Sequence, residues 1–349
     1  WAELAAAGLV GIAVPEEYGG AGLGLTEICL LLEQHGRRPA LLPLWENVVA
    51  ALVVARFGSD EQQATWLPGV AAGTSRLTLV ADLGGSDGLV PSGMSAQAAV
   101  VVSGNVVTLV PLDGVTRVPV ETTTHGLAAD LDLTSTPSQP LAADADWVRD
   151  VARVGLAAGQ LGNTDEGVRE AASYLTAREQ FGRPLATFQA VSQQLGDGYC
   201  DVQAMRATLW QAVWALEHGD DARTAVDVAT WWATDGGGRV QHVVQHLHGG
   251  MGVTDELPAA HHFKRLTMIE QTLGDSDHHL QRFMARPESR REPARAHSRR
   301  PSLWHGSDRT PRPPHGPLAV HRHDCRTILR RGGRSAPHRC RHVPGPRPH

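Results

Sequence analysis

Cysteine, lysine and long apolar runs are scarce in this sequence of 349 residues. The four cysteines form no CxxC pair, so a reduced, cytoplasmic protein fits them better than a zinc site or a disulfide scaffold. No apolar run approaches the roughly 20 residues that a membrane-spanning helix needs, and no basic-then-apolar leader opens the chain. We therefore expect a cytoplasmic protein with no membrane span and no bound metal. Because the chain lacks an initiator Met, we also expect residues to be missing before Trp1.

Charge is distributed unevenly along the chain, although the net value is only −5. From residue 286 to the end, 16 Arg oppose 4 acidic residues, so the preceding body of the chain is strongly acidic. An acidic body does not suit a nucleic acid or another polyanion. The segment 286–349 is rich in Arg, Pro, His and Ser without apolar spacing, and such a composition does not bury enough surface to offset its chain entropy. We expect this irregular tail to be disordered or translated out of frame, rather than to bind nucleic acid.

Hydrophobic patterning predicts a multi-domain, mainly α protein. Residues 1–74 contain helical patterns and are assigned to an N-terminal helical domain. Residues 75–145 contain short β-branched runs such as RLTLVADL, AQAAVVVSG and NVVTLVPLDG, separated by turn residues, which predict a small middle β domain of about five or six strands. Residues 146–285 are again helical. Their apolar or small residues recur with alternating spacings of 4 and 3, which predicts a C-terminal four-helix bundle. We call the row of residues with this spacing the seam; it consists of Val191, Leu195, Gly198, Val202, Met205, Leu209, Ala212 and Leu216.

Local signals place several helix ends. The SDEQ run from Ser59 has the spacing of a capping box, and Pro68 predicts the stop of the helix that follows. Thr26 is predicted to cap the helix of LTEICLLLEQHG. The run Gly236–Gly238 inside a helical pattern predicts close backbone packing or a local break, because each interior glycine costs about 1 kcal/mol relative to alanine.

Four motifs in a fixed order carry a resemblance to a known family. They are GLVGIAVPEEYGGAGLGLTE near the start, FGSDEQQATWLPGVAAG, REQFGRP in the bundle, and QHLHGGMGVTDELPAAHHFKR near its end. The chain resembles the acyl-CoA dehydrogenase family from Trp1 to about Arg286. The resemblance implies an FAD-dependent reaction on an acyl-CoA thioester, in which a base removes the α-proton while a hydride leaves the β-carbon. It also implies electron-transfer flavoprotein as the acceptor.

In this family each FAD lies at a subunit interface, and the resemblance assigns the neighbour's half of that site to this chain. Arg178 matches the arginine that pairs with the FAD diphosphate, and Phe181 matches the aromatic residue beside the cofactor. His246, Gly249 and Gly250 match the loop that approaches the phosphate, although a glutamine is usual where this chain has His246. Without the resemblance, Arg178 reads as a surface ion-pair residue and the glycines read as a helix C-cap.

The half of the site that holds the flavin ring departs from the family pattern. The segment ADLGGSD keeps Gly85, Ser86 and Asp87 but lacks the usual threonine and proline. The family also places a tryptophan against the flavin, whereas no tryptophan occurs here between Trp66 and Trp147. We therefore expect the chain's own flavin pocket to be incomplete.

The residue at the position of the catalytic base also departs from the family pattern. Alignment of KRLTMIEQTLGD with the family places the usual Glu-Gly pair at Leu273 and Gly274, and a leucine side chain accepts no proton. Some members take the base from the start of the bundle, where this chain has Ala152. Glu270 lies three residues before Leu273 and is the fallback candidate, although it also reads as an exposed helix acid. Asp275 reads as a turn residue.

Together these departures are similar to one branch of the family, the smaller subunit of actinobacterial heterotetrameric dehydrogenases that act on steroid side chains. The leading hypothesis is a subunit without its own base, which clamps the FAD of a catalytic partner in an α2β2 assembly. One alternative is a self-sufficient homotetramer, or another homo-oligomer, with Glu270 as base. Another is a non-catalytic scaffold that kept the fold.

Overall fold

Helices form the N-terminal part of the chain. The computed structural model describes residues 1–38, 40–85, 89–124, 126–134, 136–219, 221–254 and 257–285. Its first helices are α1 (Ala2–Ala6), α2 (Leu25–Arg37), α3 (Leu44–Phe57) and α4 (Asp60–Ala71), with a 3₁₀ turn at Glu16–Tyr18. Helix α3 is buried on nearly all sides, which is the pattern of a core helix rather than a surface helix. The tail predicted for 286–349 lies outside the described residues.

The capping box at the start of α4 is confirmed. The Ser59 hydroxyl accepts the Gln62 N–H at 3.3 Å, and the Gln62 side chain accepts the Ser59 N–H at 2.8 Å. The stop predicted at Pro68 is wrong, because α4 continues to Ala71. Leu67 and Val70 are fully buried on either side of the proline, so packing of the last turn against the core holds the helix beyond the residue that would otherwise end it.

The cap predicted at Thr26 is also wrong. Gly24 is the N-cap of α2, and its N–H donates to the Glu27 carboxylate at 3.0 Å. Thr26 lies in the first turn instead, where its N–H and hydroxyl donate to the two oxygens of Glu217 at 2.9 and 2.8 Å. A partner 191 positions away in sequence therefore determines the role of this residue.

The middle β domain joins two small sheets. Strands β1 (Leu77–Ala81), β2 (Ala98–Ser103), β3 (Val106–Pro111) and β6 (Gln139–Leu141) form one sheet in the order β1-β2-β3-β6. Strands β4 (Arg117–Pro119) and β5 (Ala129–Leu131) form the other. Only β1 and β2 pair in parallel. Because side chains alternate along a strand, Val100 and Val102 reach the main core with the helices, whereas Ala99 joins the smaller core beneath β5.

The C-terminal part is a helical bundle, as predicted. Its elements are α5 (Ala145–Ala177), the hairpin β7 (Glu179–Gln180) and β8 (Arg183–Pro184), a 3₁₀ turn at Leu185–Thr187, α6 (Gln189–His218), α7 (Arg223–Trp231), α8 (Gly237–Leu247), a 3₁₀ turn at Gly249–Val253, α9 (Pro258–Leu273) and α10 (Ser276–Met284). The predicted seam is buried from Gly198 to Leu216, while Val191 and Leu195 remain partly exposed. The three consecutive glycines occur where a π-helical segment, Trp232–Gly236, joins α7 to α8. A Cβ on Gly237 would lie 2.6 Å from the Gln160 side chain, so the glycines serve both predicted purposes.

Helices α2 and α5 cross at glycines. A Cβ on Gly36 would overlap the carbonyl oxygen of Gly159, and a Cβ on Gly162 would overlap that of Glu33. Backbone therefore meets backbone at this crossing, with no room for a side chain. Beside it, Arg37 bonds Glu33 at 2.9 Å and Asp165 at 2.5 Å, which ties the two helices together.

Substitution of Gly162 by alanine is expected to lower the free energy of unfolding by about 1–3 kcal/mol or more, because an overpacked crossing forces backbone shifts. Urea unfolding of the full chain measures this difference. Gly196→Ala in α6 is the matched control, since nothing lies within 4 Å of its added Cβ. That variant is expected to gain up to about 1 kcal/mol from helix propensity. Equal stability of the two variants would contradict the close crossing.

Candidate functional site

A cavity of about 670 Å³ lies where the N-terminal helices, the β domain and the bundle meet. Helices α2, α3, α5 and α9 line it, together with loop residues 89, 91–92, 122–124 and 126–128. The wall is mainly apolar and includes Leu32, Trp45, Leu156, Met268 and Ile269. This volume falls within the range of small-molecule pockets, about 300–1,000 Å³.

Three charged side chains line this cavity, Glu46 of α3 together with Lys264 and Arg265 of α9. Glu46 accepts a hydrogen bond from the Ser92 hydroxyl, and burial raises the pKa of its carboxyl. Arg265 donates to the His35 carbonyl at 3.3 Å and to His35 Nδ1 at 3.0 Å. Burial lowers the pKa of Arg265 to about 10, so it remains a cation at neutral pH. Burial and Arg265 lower the pKa of His35 to about 3, so His35 is neutral and accepts at Nδ1.

Sequence reasoning did not identify Glu46 or Arg265. One signal for Glu46 was available, because it is the only acidic residue in the apolar run LWENVVAALVVARF. A lone acid in a helix buried on all sides is rarely found without a specific partner. Arg265 had no such signal, since it follows Lys264 in a helix of mixed polarity.

The face of α9 that borders the cavity does not include the two residues considered as bases. The lining residues on this helix are His261, Lys264, Arg265, Met268, Ile269 and Thr272. Glu270 lies on the other side of the helix, with Oε1 3.5 Å from the position of a Cβ on Gly238 of α8. Burial, followed by the nearby Asp275, raises the pKa of Glu270. Leu273 is 0% exposed and belongs to the main core.

The loop after β1 closes directly over the end of α9. A Cβ on Gly84 would lie 2.7 Å from the Leu273 carbonyl oxygen, and one on Gly274 would lie 2.8 Å from the Gly84 carbonyl carbon. Ala152, the alternative base position, is fully buried, and its carbonyl accepts the Trp45 indole N–H at 3.1 Å. Both positions predicted from the sequence to correspond to a base are therefore packed with backbone and apolar side chains. Ser86 and Asp87, which continue the loop in sequence, lie outside the described residues.

A hydrogen bond from a paired arginine attaches this loop to the bundle. Arg153 of α5 donates to the Leu83 carbonyl at 3.4 Å and pairs with Asp150 at 3.1 Å. Arg282 of α10 pairs with Asp227 at 3.1 Å. Arg153, Asp150 and Arg282 border a smaller cavity of about 270 Å³, whose lining includes four arginines and three aspartates. The aspartates offset most of the positive charge that this lining would present to an anion.

The residues predicted to contact FAD lie on the surface of the bundle. Arg178 follows the last residue of α5 and is exposed. Its backbone N–H and carbonyl are fixed by Tyr174 and Leu185, at 2.8 Å each, whereas its side chain forms no ion pair within the part of the chain that the structure describes. Phe181 is 91% exposed at the tip of the β7–β8 hairpin, where its φ is +54°.

The glycine loop lies next to the end of α5. The Tyr174 ring stacks on His248 with ring centroids 4.5 Å apart, so the helix turn before Arg178 contacts the loop. His246, Gly249 and Gly250 are exposed, and a Cβ on either glycine would meet nothing within 4 Å. The structure thus brings the two segments to one end of the bundle. We call Arg178, Phe181, His246, Gly249 and Gly250 the clamp surface.

The clamp surface has the chemistry that a diphosphate requires. A guanidinium without a competing carboxylate can make charge-assisted hydrogen bonds to phosphate oxygens, and open glycine backbone allows a close approach of its N–H groups. Elsewhere in the described ranges, no group of three potential metal ligands occurs. Nor does any described helix have the length and apolar character needed to cross a membrane.

Comparisons with known proteins agree with this architecture. Two family profiles match, "Acyl-CoA dehydrogenase, N-terminal domain" over residues 1–74 and "Acyl-CoA dehydrogenase, C-terminal domain" over residues 145–286. Acyl-CoA dehydrogenase FadE27 of Mycobacterium tuberculosis is 34% identical, over 81% of this chain and 86% of FadE27. The Tcur3481–Tcur3483 steroid ACAD is similar at 43% identity and a TM-score of 0.77, over 81% of this chain and 86% of that one. The ChsE4–ChsE5 complex from Mycobacterium tuberculosis is similar at 33% identity and a TM-score of 0.75, over 82% of this chain and 87% of that one.

Proposed function

The chain belongs to the acyl-CoA dehydrogenase family of oxidoreductases acting on a CH–CH bond, and from this premise we propose that it is a subunit without its own base. In this proposal a catalytic partner chain supplies the base, and the clamp surface of this chain binds the partner's FAD. FAD, when bound, supplies the hydride acceptor of the dehydrogenation.

The observation that carries this proposal is the surroundings of Leu273. The residue is fully buried and apolar, and the backbone of Gly84 packs against the end of its helix. No carboxylate on α9 borders the large cavity, and the carboxyl that does, Glu46 of α3, accepts a hydrogen bond from Ser92. Proton abstraction next to a thioester needs a base within hydrogen-bond reach of the substrate, and this geometry supports a base that comes from another polypeptide.

The clamp surface supports the second half of the proposal. Arg178 would pair with the FAD diphosphate, and the backbone of Gly249 and Gly250 would approach the same group. Phe181 would pack beside the cofactor, because an aromatic side chain that is so exposed in the single chain gains from being covered. His246, at the end of α8, would contact the cofactor from the other side of the glycine loop.

Two similar structures support the choice of partner and substrate. One is the Tcur3481–Tcur3483 steroid ACAD, and the other is the ChsE4–ChsE5 complex. We infer an α2β2 assembly with a catalytic acyl-CoA dehydrogenase subunit. A CoA thioester with a bulky acyl group, such as a steroid side chain, would be its substrate, and the chain would then act in lipid and steroid degradation. Electron-transfer flavoprotein would be the acceptor, and the cytoplasm would be the compartment.

The alternative in which Glu270 is the catalytic base predicts a different turnover rate for the Glu270→Gln variant. Because Glu270 points toward α8, Glu270→Gln in the complex is expected to change the rate of enoyl-thioester formation by less than about twofold, whereas loss of a general base costs about 100-fold or more. Dye-coupled turnover measures the rate. Glu61→Gln, at the exposed start of α4, controls for the chemical change itself. A 100-fold loss confined to Glu270→Gln would establish the self-sufficient enzyme instead.

A further inference from the structure

We propose that the large cavity beside Arg265 is a non-catalytic binding site for a bulky apolar molecule that carries a carboxylate. The site lies within this chain and needs neither the clamp surface nor a catalytic base. It therefore goes beyond the proposed subunit role, and it can be tested without flavin or turnover.

The charge of Arg265 provides the first argument. Two other arginines with little exposure are paired with a carboxylate: Arg37 with Glu33 at 2.9 Å, and Arg153 with Asp150 at 3.1 Å. Arg265 forms no ion pair within the described ranges. Its only hydrogen-bond partner there is His35, and its Nε is buried without any partner. A largely buried guanidinium without an anion is costly, so an anionic ligand at this position would gain a charge-assisted pair.

The neighbouring carboxyl of Glu46 fills this role only in part, because its charge raises the pKa of Arg265 without forming an ion pair with it. Glu46 lines the same cavity, but its hydrogen bond is to Ser92 rather than to Arg265. Burial raises the pKa of Glu46, which weakens it as a competitor for the cation. The other groups facing the pair are His35, whose pKa is lowered to about 3, together with His261 and Lys264 on α9. No second carboxyl lines the cavity in the described part of the chain.

The side chains that line the cavity indicate the chemistry of the rest of the ligand. The cavity is also lined by leucine, methionine, isoleucine and tryptophan side chains, so the body of the ligand should be hydrocarbon. The cavity of about 670 Å³ is large enough for a polycyclic or branched skeleton. Hydroxyls of Thr122, Thr123 and Thr124 on one wall would accept a single polar substituent on that skeleton. A free acid fits this pattern, whereas an ester of the same skeleton lacks the charge that Arg265 recognises.

The test compares 1-pyrenebutyrate with its methyl ester, which share a bulky hydrocarbon body and differ in charge. Equilibrium dialysis against the full chain measures both dissociation constants. The acid is expected to bind one molecule per chain, at least about tenfold more tightly than the ester, and Arg265→Met should weaken the acid about 10- to 100-fold. The ester should change less than twofold, and Arg265→Lys should retain most of the affinity for the acid. Arg169→Met, on the exposed side of α5, is the matched control.

Two further variants keep the proposal falsifiable if Arg265→Met does not fold. Glu46→Gln removes the competing carboxyl and should tighten binding of the acid alone. Met268→Trp fills the cavity and should abolish binding of both probes. Equal affinity of acid and ester for the unmodified chain would overturn the proposal. So would undiminished binding to Met268→Trp, which would place the probe elsewhere.

Discussion

Alanine in place of Arg178 is expected to leave the complex with little FAD, with the affinity for the cofactor falling about 10- to 100-fold. The substituted side chain is exposed and forms no ion pair in the described chain, so its removal should not affect folding. Flavin absorbance per complex after desalting measures the loss. Arg178→Lys should be intermediate, because lysine keeps the charge but not the planar fork that matches a phosphate.

Arg169→Ala is the matched control for this experiment, since Arg169 lies earlier on α5 and is also largely exposed. It should retain the flavin of the unmodified complex. If Arg178→Ala retained it as well, the clamp surface would have no cofactor role. The scaffold alternative would then be the better description of this chain.

Glutamate at Leu273 is expected to destabilise the chain by about 3–5 kcal/mol without creating activity, because it buries a charge with no partner. The side chain at this position is 0% exposed, and the Gly84 loop packs against the adjoining backbone. A glutamate introduced at this position is therefore not expected to face an open site. Urea unfolding measures the loss of stability, and a dye-coupled assay of the single chain measures activity.

Leu273→Met serves as the control, since volume-conserving apolar substitutions usually cost less than about 1.5 kcal/mol. A Leu273→Glu chain that unfolds at the same urea concentration as Leu273→Met would show that the position is not closed. Turnover by that chain alone would show in addition that the cavity holds flavin and substrate productively.

The features that the sequence predicted correctly are those determined by neighbouring residues. The capping box of Ser59 and Gln62 involves positions three apart, and the α6 seam repeats a short period along one helix. The errors occurred where distant residues compete. Thr26 bonds Glu217 instead of capping α2, and packing of Leu67 and Val70 carries α4 past Pro68.

In the candidate site, too, the sequence predicted features within short motifs but not contacts between distant residues. Family motifs identified Arg178 and the glycine loop separately, but only the contact between Tyr174 and His248 shows that they share one end of the bundle. The cavity was not predicted, because Glu46 and Arg265 are far apart in sequence and neither belongs to a motif. Burial of Leu273 was implied by its apolar side chain, whereas closure of its surroundings by Gly84 required the fold.

The most direct measurement is dehydrogenation by the full chain purified without a partner. The assay supplies FAD, a saturated bulky acyl-CoA thioester and an electron-accepting dye, and it detects the enoyl thioester by mass. If this chain has no base of its own, as we propose, it should form no product above the uncatalysed background, and product should appear once the catalytic partner is added. Enoyl thioester formed by the single chain at the rate of the complex would contradict the assignment.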